Sequence, residues 1–173
     1  SIFLSVHIDL SSNHFKCEGA WGLAWAIAES ACLRTLNLSD CAIGDDGGDE
    51  LAEALNSPVA LAAIVRLDLR GNKIGREGAV ALLDGLMRSD CPCELLDLSD
   101  NGICGLTAEG DGKYSMEAVA AACRWLKKPG NPLRSLKLGQ NQLCGVNWKG
   151  RGEYTSVAVE AICDALVSDA CQL

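Results

Sequence analysis

Two stretches of this 173-residue chain carry the residue types from which ligand loops are built, and they share one skeleton. The first, "ICGLTAEGDGKYSM", covers residues 103–116; the second, "LCGVNWKGRGEYTS", covers 143–156. Cys104, Gly105, Gly110, Gly112 and Tyr114 return as Cys144, Gly145, Gly150, Gly152 and Tyr154. Glycines beside Lys149 and Arg151 invite a phosphate cradle, but the G-x-x-x-x-G-K-[ST] order that serves nucleotide and magnesium is missing. The first copy also sets Glu109 and Asp111 where the second has Lys149 and Arg151, an exchange that a shared catalytic role would not tolerate. The common residues read instead as geometry. Glycines permit positive φ, and Tyr114 or Tyr154 would pack its loop back on a helix. What differs between the copies is where function would lie. "NWKGR" sets an aromatic beside two cations, so Trp148, Lys149 and Arg151 are candidate contacts for a protein partner, with Trp148 as anchor. The alternative is a Trp148 folded back on its own repeat.

Other chemistry finds little support. His7 and His14 both lie near the start of the chain, and no Ser-His-Asp or Cys-His order is evident. The 10 cysteines include no Cys-x-x-Cys pair, and neither histidine is near Cys91-Pro92-Cys93, which argues against a zinc site. No cofactor is implied. Most cysteines fall among Leu, Ala and Val, as free thiols buried like small apolar residues do, so the expected setting is an intracellular, reducing compartment, the cytoplasm first. A net charge of −8 repels nucleic acid and anionic membrane, and no apolar run reaches the roughly 18 residues that span a bilayer. "SIFLSVHIDL" shows no initiator Met and no signal-peptide pattern, and no polar cap is obvious at either end. The expectation is a piece of a longer chain, or a subunit whose assembly covers the ends.

The elements that must position these loops form a repeat. "LRTLNLSDCAI" begins at Leu33, "IVRLDLRGNKI" at Ile64, "CELLDLSDNGI" at Cys93 and "LRSLKLGQNQL" at Leu133, with a weaker "SVHIDLSSNHF" from Ser5. All follow L-x-x-L-x-L-x-x-N-x-L, with Asn13, Cys41, Asn72, Asn101 and Asn141 at the polar turn, in steps of 28, 31, 29 and 40 residues. Leu-x-Leu turns two side chains to one face of a short strand. The Asn after it can bond backbone groups where the chain leaves the strand, a role Cys41 fills approximately. Leu51 and Leu55, then Leu82, Leu83 and Leu86, mark helices that face the strands, with Asp45 or Asp46 as N-cap on the first. Pro58, Pro92 and Pro132 break the chain before the next strand. Each 40-residue repeat holds its excess between strand and helix. The two Gly-rich stretches, near 104–114 and 144–154, are therefore insertions, set side by side on one rim.

This pattern resembles the leucine-rich repeat family over essentially the whole of residues 1–173, in its ribonuclease-inhibitor-like subtype. The inserted loops are similar to those in repeat proteins of unicellular algae and other protists. The resemblance implies an α/β solenoid of five repeats forming one domain, with a parallel sheet on the concave face and helices on the convex face. It predicts that Leu36, Leu38, Leu67, Leu69, Leu96, Leu98, Leu136 and Leu138 are buried together. Between those leucines the exposed file runs Asp9, Asn37, Asp68, Asp97, Lys137, flanked by Arg66 and Arg70. Asp68 and Asp97 should face each other, a mildly destabilising pair that Arg66 and Arg70 can offset. Arg66, Asp68, Arg70, Asp97 and Lys137 are thus second candidates for binding protein. The expected function is a non-enzymatic interaction scaffold or a subunit of a large complex. The alternative is an activating regulator of a small GTPase, through Arg70.

Overall fold

The computed structural model describes residues 5–55, 64–88 and 91–168. Strands and helices alternate throughout: β1 (Val6–Asp9), α1 (Lys16–Ala28), β2 (Leu33–Asn37), α2 (Gly44–Leu55), β3 (Arg66–Asp68), α3 (Arg76–Arg88), β4 (Leu95–Asp97), α4 (Glu117–Leu126), β5 (Ser135–Lys137) and α5 (Val157–Leu166). The strands form one parallel sheet in chain order, and each helix packs on the next helix. Every strand repeats the register of the one before it: Asn37 pairs with Asp68, Asp68 with Asp97, and Asp97 with Lys137. A parallel strand pair needs a crossover, and here one helix supplies it each time.

The core lies between the strand and helix layers. The leucine pairs of β2, β3 and β4 are buried as the alternation predicts, and so are Leu51, Leu55, Leu82, Leu83 and Leu86. Leu136 and Leu138 are only partly buried, because β5 is the last strand and nothing among the described residues covers its far side. Pro92 and Pro132 stand in the connections before β4 and β5. Pro58 lies outside the described residues.

The turns after β3, β4 and β5 are built on asparagine. Asn72 Oδ1 accepts from the N–H of Cys41 (2.9 Å) and of Ile43 (3.4 Å) in the preceding repeat, and its Nδ2 donates to the carbonyls of Leu38 (2.7 Å) and Leu69 (2.9 Å). Asn101 does the same for Asn72 and Ile74, and Asn141 for Asn101, Gly102 and Ile103. The result is a ladder that stitches each turn to the next. Cys41, where the pattern expects Asn, donates its Sγ–H to the Leu10 carbonyl at 3.2 Å. It has no amide oxygen to offer the turn before it.

The expected N-cap at Asp45 or Asp46 is corrected. Both residues lie inside α2, and Asp45 turns its carboxylate toward the following repeat. There Oδ1 accepts the N–H of Gly75 (2.9 Å) and Gly78 (2.8 Å), capping α3 from outside. An acid fits that position because the exposed N–H groups of a helix start carry partial positive charge.

All nine cysteines in the described residues are free, while Cys171 lies outside them. Burial pushes the Cys93 thiol up to about 12, and the neighbouring Cys91 adds to this. Burial likewise raises Cys104 to about 11, with Cys144 beside it. Such thiols are poor nucleophiles. Alkylation without reductant should therefore label exposed Cys32 and Cys163 in the native protein, and Cys41, Cys91, Cys93, Cys104 and Cys123 only after denaturation. Mass spectrometry reads this directly. A protected majority in the denatured sample would mean disulfides and an oxidising compartment.

Candidate protein-interaction surfaces

The two insertions adopt the same miniature hairpin. Leu106 bridges Gly112, and Val146 bridges Gly152, each antiparallel. Thr107 N–H donates to the Asp111 carbonyl, as Asn147 N–H does to that of Arg151 (2.8 and 2.9 Å). The glycines are a steric requirement. Gly112 sits at φ 120° and Gly152 at φ 118°, and a Cβ on either would run into the carbonyl of Gly105 or Gly145. The loops are structural frames with variable centres.

They also touch. Asn147 is buried, and its Nδ2 donates to the Ala108 carbonyl of the first loop at 3.1 Å. Its Oδ1 accepts the N–H groups of Lys149 (3.0 Å) and Arg151 (2.9 Å), so one side chain shapes the second loop and ties it to the first. The first copy manages with Thr107 Oγ1 accepting from Asp111 N–H at 3.2 Å. Sequence reasoning passed over Asn147; its signal was an Asn replacing Thr at the position where the loop closes on itself.

Asn147 fixes where its neighbour points. Trp148 is 81% exposed at the loop tip, with the Lys149 ammonium 4.7 Å from the ring centroid. Trp148 is therefore not folded back on its own repeat. Arg151 is exposed beside it, and so are Glu109 and Asp111 on the first loop. The rim thus presents an aromatic and two cations next to two carboxylates. On the other side of the first loop runs an open groove of about 850 Å³, flanked by Lys73, Arg76, Lys113, Asp100 and Glu109.

The second set of candidates lies on the sheet. His7, Asp9, Arg66, Asp68 and Lys137 line a shallower depression of about 340 Å³. Asp68 and Asp97 do face each other in register, and both carboxylates act on Arg70 as expected, though neither is its ion-pair partner. Arg70 Nη2 instead meets Asp40 Oδ2 at 3.2 Å, and Lys137 Nζ meets the buried Asp97 at 3.1 Å. Burial alone would raise the Asp97 carboxyl; the Ser99 hydrogen bonds and Lys137 outweigh it and hold it below the usual range. Asp97 and Lys137 thus serve each other, which leaves Arg66, exposed, and Asp68, half-buried, as the freer sheet candidates. Two exposed aromatics went unread in the sequence: Trp21 (67%) and Trp25 (74%) on α1, spaced four apart in a run of Ala, Gly and Leu that looks wholly apolar.

Among the described residues no group of His, Cys, Asp and Glu is placed to hold a metal ion, and no helix is long and apolar enough to cross a membrane.

A parallel sheet backed by one helix per strand, with a ladder of asparagines joining successive turns, defines a leucine-rich repeat solenoid. A sequence profile described as Leucine Rich repeat matches residues 29–52 and 64–83. The chain is 32% identical over 130 residues to the ribonuclease inhibitor of Mus musculus, covering 70% of this chain and 27% of that protein. It is 34% identical over 102 residues to the mouse NACHT, LRR and PYD domains-containing protein 12, covering 58% of this chain and 9% of the other. Among solved structures, the tropomodulin C-terminal domain of Caenorhabditis elegans superposes with a TM-score of 0.64 at 13% identity, over 94% of this chain and 82% of that one. The chain is a leucine-rich repeat protein of the ribonuclease-inhibitor-like type, and it spans only a fraction of the length of the relatives it matches in sequence.

Proposed function

We propose that this chain is a non-enzymatic scaffold that binds a protein partner through the rim formed by its two insertions. The observation that carries this reading is Trp148, held out by the buried Asn147 frame with Lys149 against its ring. Leaving a tryptophan in water forgoes the burial that most stabilises such a side chain, and tryptophan and arginine are the residues that dominate interface hot spots. The adjoining groove would receive a partner's side chains among fixed charges of both signs. Likeness to ribonuclease inhibitor, whose name describes a protein that acts by binding another, supports the same reading. Regulation of a small GTPase has no comparable observation behind it, since Arg70 is already engaged by Asp40. The free thiols support a reducing intracellular setting.

The test is isolation of the native partner followed by calorimetry on the Trp148→Ala/Arg151→Ala variant. Affinity should fall by about 2 kcal/mol, roughly thirtyfold in Kd. The melting temperature should stay put, because both side chains project from the core. If that variant binds normally while Arg66→Ala with Asp68→Ala abolishes binding, the sheet is the site. If the purified chain instead accelerates nucleotide hydrolysis by a GTPase, the scaffold reading fails.

A further inference from the structure

The helix layer carries a second surface that the rim reading does not use. Trp21 and Trp25 stand four apart on α1, so both rings leave one face of that helix, and both are exposed. Their exposure is set by their place in the repeat. Helix α2 has a neighbour on either side and shows which positions a neighbour takes. A Cβ added to Gly47 of α2 would meet Ala20 of α1, and one on its repeat equivalent Gly78 would meet Asp45 of α2. Gly85 of α3 faces Ala52 of α2 in the same way. On α1 the positions that face a preceding helix are therefore Gly19 and Ala26. Trp21 and Trp25 correspond instead to Asp49 and Glu53, both exposed on a helix that is covered from both sides. The Trp25 file continues as Asp84 on α3 and Arg124 on α4, which pair across the helices at 2.9 Å. Among the described helices, α1 alone fills these outward positions with aromatics.

What surrounds the rings selects the occupant. Helices α1 and α2 carry one basic residue, Lys16, against Glu18, Asp45, Asp46, Asp49, Glu50 and Glu53. Asp45 is engaged in capping α3. Asp49 and Glu53 meet no cation among the described residues. Partial burial raises the Asp49 carboxyl, and Asp45, Asp46, Glu77 and Glu53 add to this, as carboxylates crowded without a counter-charge do. Two indoles beside such carboxylates suit a cation in two ways. Ring faces attract ammonium and guanidinium groups, and guanidinium also stacks on them. Axes of packed helices lie roughly 8–10 Å apart, so one extended segment can set successive cations on the rings of α1 and the acids of α2.

We propose that the outward face of α1 and α2 binds a Lys/Arg-rich segment of a partner protein, its cations lying over Trp21 and Trp25 and against Asp49 and Glu53. The site goes beyond the rim reading, since it uses other repeats and the other layer of the fold. A net charge of −8 favours the approach of such a segment, and added salt should weaken its binding.

Calorimetric titration of the purified chain with a short oligo-arginine peptide should give saturable binding, and oligo-glutamate none. Trp21→Ala/Trp25→Ala should weaken it by at least about tenfold, and so should Asp49→Asn/Glu53→Gln on the other helix. Melting temperatures should hold, because all four side chains are exposed. Should the tryptophan variant melt early, the acid variant still decides, since it only relieves repulsion within α2. Glu109→Gln/Asp111→Asn removes two acids from the rim and should bind as the parent does. Trp148→Ala/Arg151→Ala should also bind normally, so this inference and the rim reading fail separately. Affinity that survives the loss of both tryptophans, or falls equally with the rim acids, is charge attraction without a site and overturns the proposal. So does sedimentation showing that the chain pairs with itself through Trp21 and Trp25. Binding to neutral phosphatidylcholine vesicles that the tryptophan variant abolishes would overturn it as well.

Discussion

Asn72→Ala is expected to lower the unfolding free energy by about 4 kcal/mol, far beyond the usual cost of a lost side-chain hydrogen bond. The reason is what the amide leaves behind. Asn72 is fully buried and is the partner of the N–H groups of Cys41 and Ile43 and of the Leu38 carbonyl, all backbone, while the Leu69 carbonyl it also meets keeps Asn101 Nδ2. Each such group without a partner costs about 1–3 kcal/mol, and the dense packing around the turn leaves little room for water to replace the amide. Asn72→Asp should be nearly as damaging, since a carboxylate keeps the acceptor, loses the donor and adds a buried charge. The control is Asn13→Ala. Asn13 is exposed and serves only its own turn, so its loss should stay below about 1 kcal/mol. Urea denaturation followed by circular dichroism separates the two. An Asn72→Ala variant within 1 kcal/mol of the parent would mean the ladder is decoration.

That ladder also shows why so much of this fold was legible. Leucine alternation and the turn asparagine encode strand, turn and helix within about 28 residues, and each repeat corrects the reading of the others. The insertions were found for the same reason, as departures from a known period. What stayed hidden were contacts that cross repeats by side-chain direction alone. Asp45 sits where an N-cap should, yet caps the next helix. Arg70 follows its strand neighbours in sequence, yet pairs with Asp40 of the repeat before. The turns hide another feature. Asp40, Asp100 and Gln140 take φ of 57–58° ahead of the turn position, a conformation that the pattern announces only where Gly71 stands. For the candidate site, residue type singled out Trp148, but its exposure at the loop tip goes with Asn147, whose role requires two loops stacked in space.

The largest effect away from the ladder is expected where helices approach most closely. Gly78→Ala looks favourable on propensity, since replacing glycine inside a helix gains about 1 kcal/mol. Its surroundings reverse the sign. A Cβ there would stand 2.9 Å from the Asp45 carbonyl oxygen and 3.0 Å from its Cα, both backbone, and 3.0 Å from the Oδ1 that caps α3. Backbone of a neighbouring helix cannot swing aside as a side-chain end can, so α2 and α3 must part. Overpacking of this kind costs about 1–3 kcal/mol. Gly78→Val adds a β-branch and displaces the cap as well, so its loss should reach about 3 kcal/mol. Gly22 in α1 provides the opposite case: nothing stands within 4 Å of its Cβ position. Gly22→Ala should therefore raise stability by about 0.5–1 kcal/mol, the propensity gain alone. Thermal melts of Gly78→Ala, Gly78→Val and Gly22→Ala against the parent test the sign at each place. If Gly78→Ala melts higher than the parent, the close approach of α2 and α3 is looser than the structure has it, and the Asp45 cap then belongs to a contact that yields rather than one that fixes the spacing of the repeats.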